Sequence, residues 1–233
     1  MMVAEVRRRI DDRHKRHLAM AQFDPGLFER FSELYRPGLV GLVGTNDRLG
    51  LAIRDAQKTN TPDGKPSLWS HCFIFGELRR DRRGPGRSLN TSPFIFESDL
   101  MAGVDALQLK NGAQENWLGK WCLGRVEHAA VIDFRLAPAQ RRLVLATALE
   151  LVEEQFQYPI AELVGTWLAI AARRKWLPNP LENPHALYCS AFVRHCFREA
   201  NRDFIKSFIA LSNTTPEDVA LAGTSAGALT MIR

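Results

Sequence analysis

The spacing of apolar and polar positions changes character along the chain. Over residues 3–34, Val6, Ile10, Leu18 and Phe28 are scattered among charged residues in a helical pattern, read as an N-terminal helical extension spanning 1–35. "RPGLVGLVGT" (36–45) has a Pro-Gly turn and then a short continuous apolar run, the pattern of a buried strand. "LGLAIRDAQ" (49–57) reads as a short helix. "LWSHCFIFGEL" (68–78) and "SPFIFES" (92–98) are strand-like runs rich in Phe and Ile, separated by an Arg-rich loop with a Gly-Pro-Gly core. "GVDALQLK" (103–110) and "HAAVIDFRL" (128–136) read as two further strands.

Beyond residue 136 the period lengthens to that of helices. "APAQRRLVLATALELVEEQF" (137–156) carries Pro138 near its start and Leu143, Ala146, Leu149 and Val152 at helical spacing. "IAELVGTWLAIAARRKW" (160–176) reads as a second helix, with basic residues in its last turn. A proline-punctuated loop, "NPLENPHALY" (179–188), leads to a helix that begins at Cys189. A short helix near 201–211 follows, then "TTPEDVALAG" (214–223), where Thr215 suits the N-cap and Pro216 the first helical position. There is no internal repeat. Strands grouped in the first half and helices in the second imply an α+β domain over residues 36–233.

Composition narrows the class of protein. With 233 residues, 45% hydrophobic and 24% charged, the chain is long enough to bury a full core. No window approaches the ~18 apolar residues of a membrane span. The N-terminus shows neither an apolar h-region nor a small-residue cleavage site, so the expected location is cytoplasmic, or outside by a route without a cleaved signal. The net charge of +5 gathers at residues 7–17 and 79–87. No aromatic residues interleave with either run, which favours solvated faces over a nucleic-acid site and leaves peripheral contact with an anionic membrane as a weaker alternative. Four cysteines (Cys72, Cys122, Cys189 and Cys196) form no C-x-x-C pair, so neither a disulfide framework nor a zinc site is expected, and no cofactor is implied. Cys122 and Cys196 sit among apolar neighbours and read as core.

Cys189 differs from them. It opens a helix with Phe192, Val193, Cys196 and Phe197 on one face, and a helix N-terminus favours a thiolate. His195 is the obvious base by sequence distance, but six residues of helix rotate it about 120° away and lift it roughly 9 Å. His185, in the preceding loop, is a weaker candidate. His71 begins an apolar strand and shares a face with Phe73 and Phe75, while Ile95 and Glu97 share a face on the next. If Phe73 lies opposite Ile95, His71 lies opposite Glu97, roughly 5 Å apart at Cβ. A slip of one residue destroys this pairing, leaving a strand-end histidine and a surface glutamate.

In their order, "RPGLVGLVGT", "LAIRDAQ", "WSHCFIF", "FIFES", "LYCSAFV" and the late "TTPEDVA" resemble the circularly permuted NlpC-like papain-fold cysteine hydrolases, YiiX-like branch, and more distantly the lecithin:retinol acyltransferase-type enzymes. The resemblance runs from Arg36 to Asp218. It implies a papain-like sheet packed against helices, with Cys189 as nucleophile, His71 as base and Glu97 as the orienting acid. Tyr188 and Trp69 are the candidates to assist the oxyanion or the substrate. Two departures stand out: Pro-Gly where an aspartate is usual in the opening strand, and Phe73 where a glycine is common, which is expected to narrow the cleft.

These residue types predict a cysteine-dependent amidase or peptidase acting through a thioester acyl-enzyme, with peptidoglycan-type or γ-glutamyl peptides as the substrates the resemblance implies. A lipid acyl hydrolase or acyltransferase with the same triad is the alternative. A non-catalytic binding module using the basic N-terminal helix is the third reading.

Overall fold

The computed structural model describes residues 23–80, 91–101, 110–154, 188–205 and 208–233. The expected helix before residue 23, most of the Arg-rich loop, the strand expected at 103–109, the helix at 160–176 and His185 lie outside the described residues.

Helix α1 (Pro25–Leu34) is capped by the Asp24 carboxylate and precedes strand β1 (Val40–Thr45). Between them Arg36 accepts a hydrogen bond from the Leu39 N–H across Pro37 and Gly38, whose φ of 84° needs glycine at the third position of such a turn. Helix α2 (Arg48–Ala56) follows, then β2 (His71–Arg80), β3 (Thr91–Met101) and β4 (Lys110–Trp117). A single 3-10 turn (Leu118–Trp121) leads on to β5 (Val126–Ile132). The second half holds α3 (Pro138–Glu153), α4 (Cys189–Glu199), a 3-10 turn (Leu211–Asn213), α5 (Pro216–Ser225) and β6 (Leu229–Met231). The strands form one antiparallel sheet in the order β4-β3-β2-β1-β5-β6. The fold is therefore α+β.

Both faces of the central strands are buried, which is why β1 and β2 read as continuous apolar runs rather than alternating ones. Val40, Leu42, Cys72, Ile74, Phe96, Ala130 and Ile132 face α3, α4 and α5. Val43, Phe73, Phe75, Ile95, Val126, Ala129 and Val131 pack with Leu27 and Phe31 of α1 and with Leu118 and Trp121. The described part of the expected extension is thus integral to the second core.

Several elements differ from the expectation. The strand after β3 runs over Lys110–Trp117, a polar stretch at the sheet edge where burial imposes no apolar pattern. The segment expected as a helix near 201–211 is irregular where described, apart from the 3-10 turn that begins at Leu211. In α3 the buried stripe is Val144, Ala148 and Leu151, while Leu143 and Leu149 are exposed. Phe73 does not point into a cleft. Its ring lies across its strand partner Gly41, where an added Cβ would stand 2.2 Å from the ring. The Thr215 cap forms as expected, with the Asp218 carboxylate accepting from the Thr215 N–H at 2.8 Å.

Candidate active site

Cys189 is the first residue of α4, and Tyr188 precedes it as an extended N-cap. The N-terminus of α4 is held by side chains reaching into residues 209–214. Ser190 donates to the Thr214 carbonyl at 2.7 Å, and the Tyr188 hydroxyl donates to the Ser212 carbonyl. Buried Arg194 donates to the Ile209 carbonyl and to Thr214, and its guanidinium pairs with Asp203 at 3.0 Å. The start of the Cys189 helix is therefore fixed from beneath by polar contacts rather than by apolar packing alone.

His71 begins β2, so its ring lies at the end of the sheet where α4 also starts. Its strand end is pinned by Ser70, whose N–H donates to Val43 O at 2.9 Å and whose hydroxyl accepts from the Thr45 N–H at 3.1 Å. The register between β2 and β3 pairs Ile74 with Phe96 and Phe75 with Ile95. That is two residues from the expected alignment, and continuing it makes His71 and Glu97 diagonal neighbours. A two-residue shift preserves the face of every side chain, and long side chains bridge a diagonal. His71 Nε2 stands 2.8 Å from Glu97 Oε2, with both groups buried.

Glu97 is 0% exposed, and a carboxylate so placed requires donors. It has four. Besides His71, Trp121 Nε1 donates to Oε2 at 2.7 Å, and Asn116 Nδ2 and Lys120 Nζ each donate to Oε1 at 2.6 Å. Lys120 also bridges to Asp99 at 2.6 Å. Trp121 has a second role: its ring stacks on the His71 imidazole at 4.4 Å with 27° between planes. Sequence reading singled out none of Trp121, Asn116, Lys120 and Asp99. The available signal was chemical rather than periodic, because a buried carboxylate and a buried indole N–H both need partners.

Cys189 lies in the same buried core cluster as Cys72, and Cys72 and His71 are the groups that set the electrostatics at its sulfur. The influence of Cys72, opposed by burial and joined by the His71 charge, holds the Cys189 thiol well below the usual thiol range. Burial pulls His71 down, but the Cys189 charge, followed by the Glu97 hydrogen bond and charge, outweighs it and lifts the imidazole to about 10. Burial pushes Glu97 up, and the Lys120 charge with the His71 hydrogen bond and charge overcomes it, leaving the carboxyl at about 2. These shifts all favour a thiolate, an imidazolium and a carboxylate in sequence.

The other candidates fall elsewhere. His195 is half-buried beside Arg198 and Glu199, and burial depresses its pKa. Cys196 and Cys122 are buried thiols whose pKa burial pushes up, and Cys122 donates to the Leu118 carbonyl. Trp69 packs in the same core cluster as Cys189, held by its backbone between Ser67 and Gln57. The Tyr188 hydroxyl proton is engaged by Ser212, which takes it away from the oxyanion role expected of it. No cluster suited to a metal ion occurs among the described residues, and none of the described helices is long and apolar enough to cross a membrane. Comparison with known proteins matches no family model and no curated protein.

Proposed function

We propose that the protein is a cysteine-dependent hydrolase that cleaves an amide bond through a thioester acyl-enzyme, on a fold of the permuted NlpC-like papain type. The observation that carries this reading is the buried His71–Glu97 pair, 2.8 Å apart, whose imidazole charge acts on the Cys189 thiol at the start of α4. The Cys189 thiolate attacks the substrate carbonyl carbon, forming the C–S bond. The backbone N–H of Cys189, in the first turn of α4, is placed to donate to the oxyanion. As the C–N bond breaks, the His71 imidazolium gives its proton to the leaving amine. The neutral imidazole then takes a proton from water, which attacks the thioester and releases the acid with Cys189 restored as thiolate. Glu97 stays ionised throughout and keeps the imidazole oriented.

The substrates to assay first are γ-glutamyl and peptidoglycan-type peptides, with acyl lipids in the same panel. Released amine and the mass of an acyl adduct on Cys189 are the readouts. Turnover that is lost in Cys189→Ala is the expected result. Turnover retained in that variant would remove Cys189 from the mechanism, and turnover of the lipids alone would transfer the same triad to a lipid acyl hydrolase.

A further inference from the structure

Lys120 is a charged group that the mechanism above does not use. It stands in the 3-10 turn Leu118–Trp121, whose other three residues are buried. The turn is a fixed platform. The Cys122 N–H donates to the Gly119 carbonyl at 3.1 Å, and the Cys122 carbonyl accepts from the Asp24 N–H at 2.8 Å. Gly119 lies so close to the Trp117 ring that an added Cβ would stand 2.3 Å from it. The Lys120 side chain is only 15% exposed, and a lysine is buried to that degree when it is paired. This one is paired twice: Nζ donates to Glu97 Oε1 and to Asp99 Oδ2, each at 2.6 Å. Asp99 follows Glu97 by two residues in β3, so both carboxylates project from one face of the sheet. Burial opposes the lysine charge, but the charges of Glu97 and Asp99 outweigh it and lift Lys120 above the ordinary lysine range.

Charge balance alone would account for a cation here. The division of donors between the two oxygens of Glu97 says more. Oε2 meets His71 Nε2 at 2.8 Å and accepts from Trp121 Nε1 at 2.7 Å, while Oε1 accepts from Asn116 Nδ2 and Lys120 Nζ. The terminal torsion of a glutamate is broad, so the side chain itself does not select the oxygen that faces the imidazole. The donors on Oε1 add to that selection. Asn116 is a neutral donor, whereas Lys120 gives the stronger, charge-assisted bond. Its second bond, to Asp99, holds Nζ in place if the carboxylate turns. A carboxylate fixed in one plane fixes the imidazole too, with Nε2 occupied and Nδ1 left for the sulfur and for water.

We propose that Lys120 is a positioning residue for the catalytic carboxylate: tethered to Asp99, it holds Glu97 Oε1 and so aims Glu97 Oε2 at His71. This rests on the Cys189, His71 and Glu97 roles inferred above. It adds a cation that touches neither substrate nor thiol and acts on the reaction through the aim of the base.

The test is the burst kinetics of the full chain with p-nitrophenyl acetate at pH 7, with the acetyl adduct located by peptide mass mapping. In the burst, the Cys189 thiolate bonds to the acetyl carbon, the C–O bond breaks, and nitrophenolate leaves without taking a proton. The imidazolium, no longer facing a thiolate, releases its proton to solvent. In the steady state, the neutral imidazole takes a proton from the water that attacks the thioester, the C–S bond breaks, and acetic acid and the thiolate are released. Acylation therefore needs the thiolate, while deacylation needs an aimed base. Lys120→Met, straight-chained and uncharged, should keep a burst rate within about threefold of the wild type and slow deacylation by about tenfold or more. Lys120→Met/Asp99→Asn removes one charge of each sign and keeps the local balance. It should be as slow in deacylation, and it replaces the single variant if that one fails to fold. Unchanged deacylation overturns the proposal, as does an equal loss of both phases, which marks a merely structural lysine. Wild-type deacylation in the double variant also overturns it, because Lys120 would then act by charge balance alone. A wild-type protein without a burst that depends on Cys189 removes the hydrolase reading itself, and the proposal with it.

Discussion

Replacing Glu97 with glutamine tests the site through its most deeply buried charge. Glutamine has nearly the shape of a protonated glutamate, so Glu97→Gln approximates the protein with that one carboxyl neutralised. In the folded chain Glu97 sits at about 2 against an ordinary value of 4.5. At 1.36 kcal/mol per pH unit, ionised Glu97 contributes about 3 kcal/mol to stability at pH 7. The sign follows from a depressed carboxyl: the contribution is present above pH 4.5 and is lost as pH falls toward 2. At pH 3.5 the wild type should already have lost about 1.4 kcal/mol of it. Urea unfolding of both proteins at pH 7 and pH 3.5 measures this. Titrating groups that do not interact with Glu97 cancel in the difference between the two proteins, and His71 and Lys120, which do, stay protonated in the folded wild type between pH 3.5 and 7. A difference of about 3 kcal/mol that shrinks on acidification is expected. A difference under ~1 kcal/mol at pH 7, or one independent of pH, would refute the account of Glu97 as an ionised hub. His71 has the opposite sign. Raised from 6.5 to about 10, it stabilises fully below pH 6.5 and loses that effect as pH rises through 10. Because the Cys189 charge leads the causes that raise it, Glu97→Gln should remove only part of that alkaline dependence.

Three further substitutions probe separate links. His71→Ala removes the cation beside the sulfur, and Cys189 alkylation at pH 6 should fall by about tenfold or more; an unchanged rate would separate His71 from the thiolate. Trp121→Phe keeps an aromatic ring against His71 but deletes the donor 2.7 Å from Glu97, and urea unfolding should show a loss of about 1.5–3 kcal/mol. Gly41→Ala places a methyl group against the Phe73 ring, and thermal unfolding should report destabilisation of roughly 1–3 kcal/mol unless that ring can move aside.

The parts of this site that were legible in sequence are those tied to the sheet's period of two and the helix's 3.6. His71 shares a face with Phe73 and Phe75, Glu97 shares one with Ile95, and Cys189 opens an amphipathic helix. Those relations survive the two-residue error in register because parity is what assigns a face. What escaped was carried by elements without a period. Asn116 lies on a polar edge strand, and Lys120 and Trp121 lie on a four-residue 3-10 turn, yet all three converge on Glu97. A turn of that length has no apolar stripe to read. The exposed Leu143 and Leu149 show the converse: in α3 two helical spacings fit the same sequence, and the stripe built on Val144, Ala148 and Leu151 is the one that packs.

The extra donors around Glu97 follow from a physical requirement that a catalytic triad considered alone would leave unmet. A buried thiolate–imidazolium pair has no net charge, but adding the carboxylate that orients the imidazole leaves the trio with a net negative charge, out of water. Desolvating that charge without compensation costs several kcal/mol. Lys120 supplies the compensation at 2.6 Å, and its second bridge, to Asp99 at the same distance, extends the alternation toward the partly exposed Asp99. Charge therefore changes sign at each step from Cys189 through His71, Glu97 and Lys120 to Asp99, and every buried member has an opposite neighbour. Such a chain is stable only when complete. This explains why the residues that close it come from a sheet edge and a turn on the far face from α4: the near face is occupied by the helix that delivers the thiol.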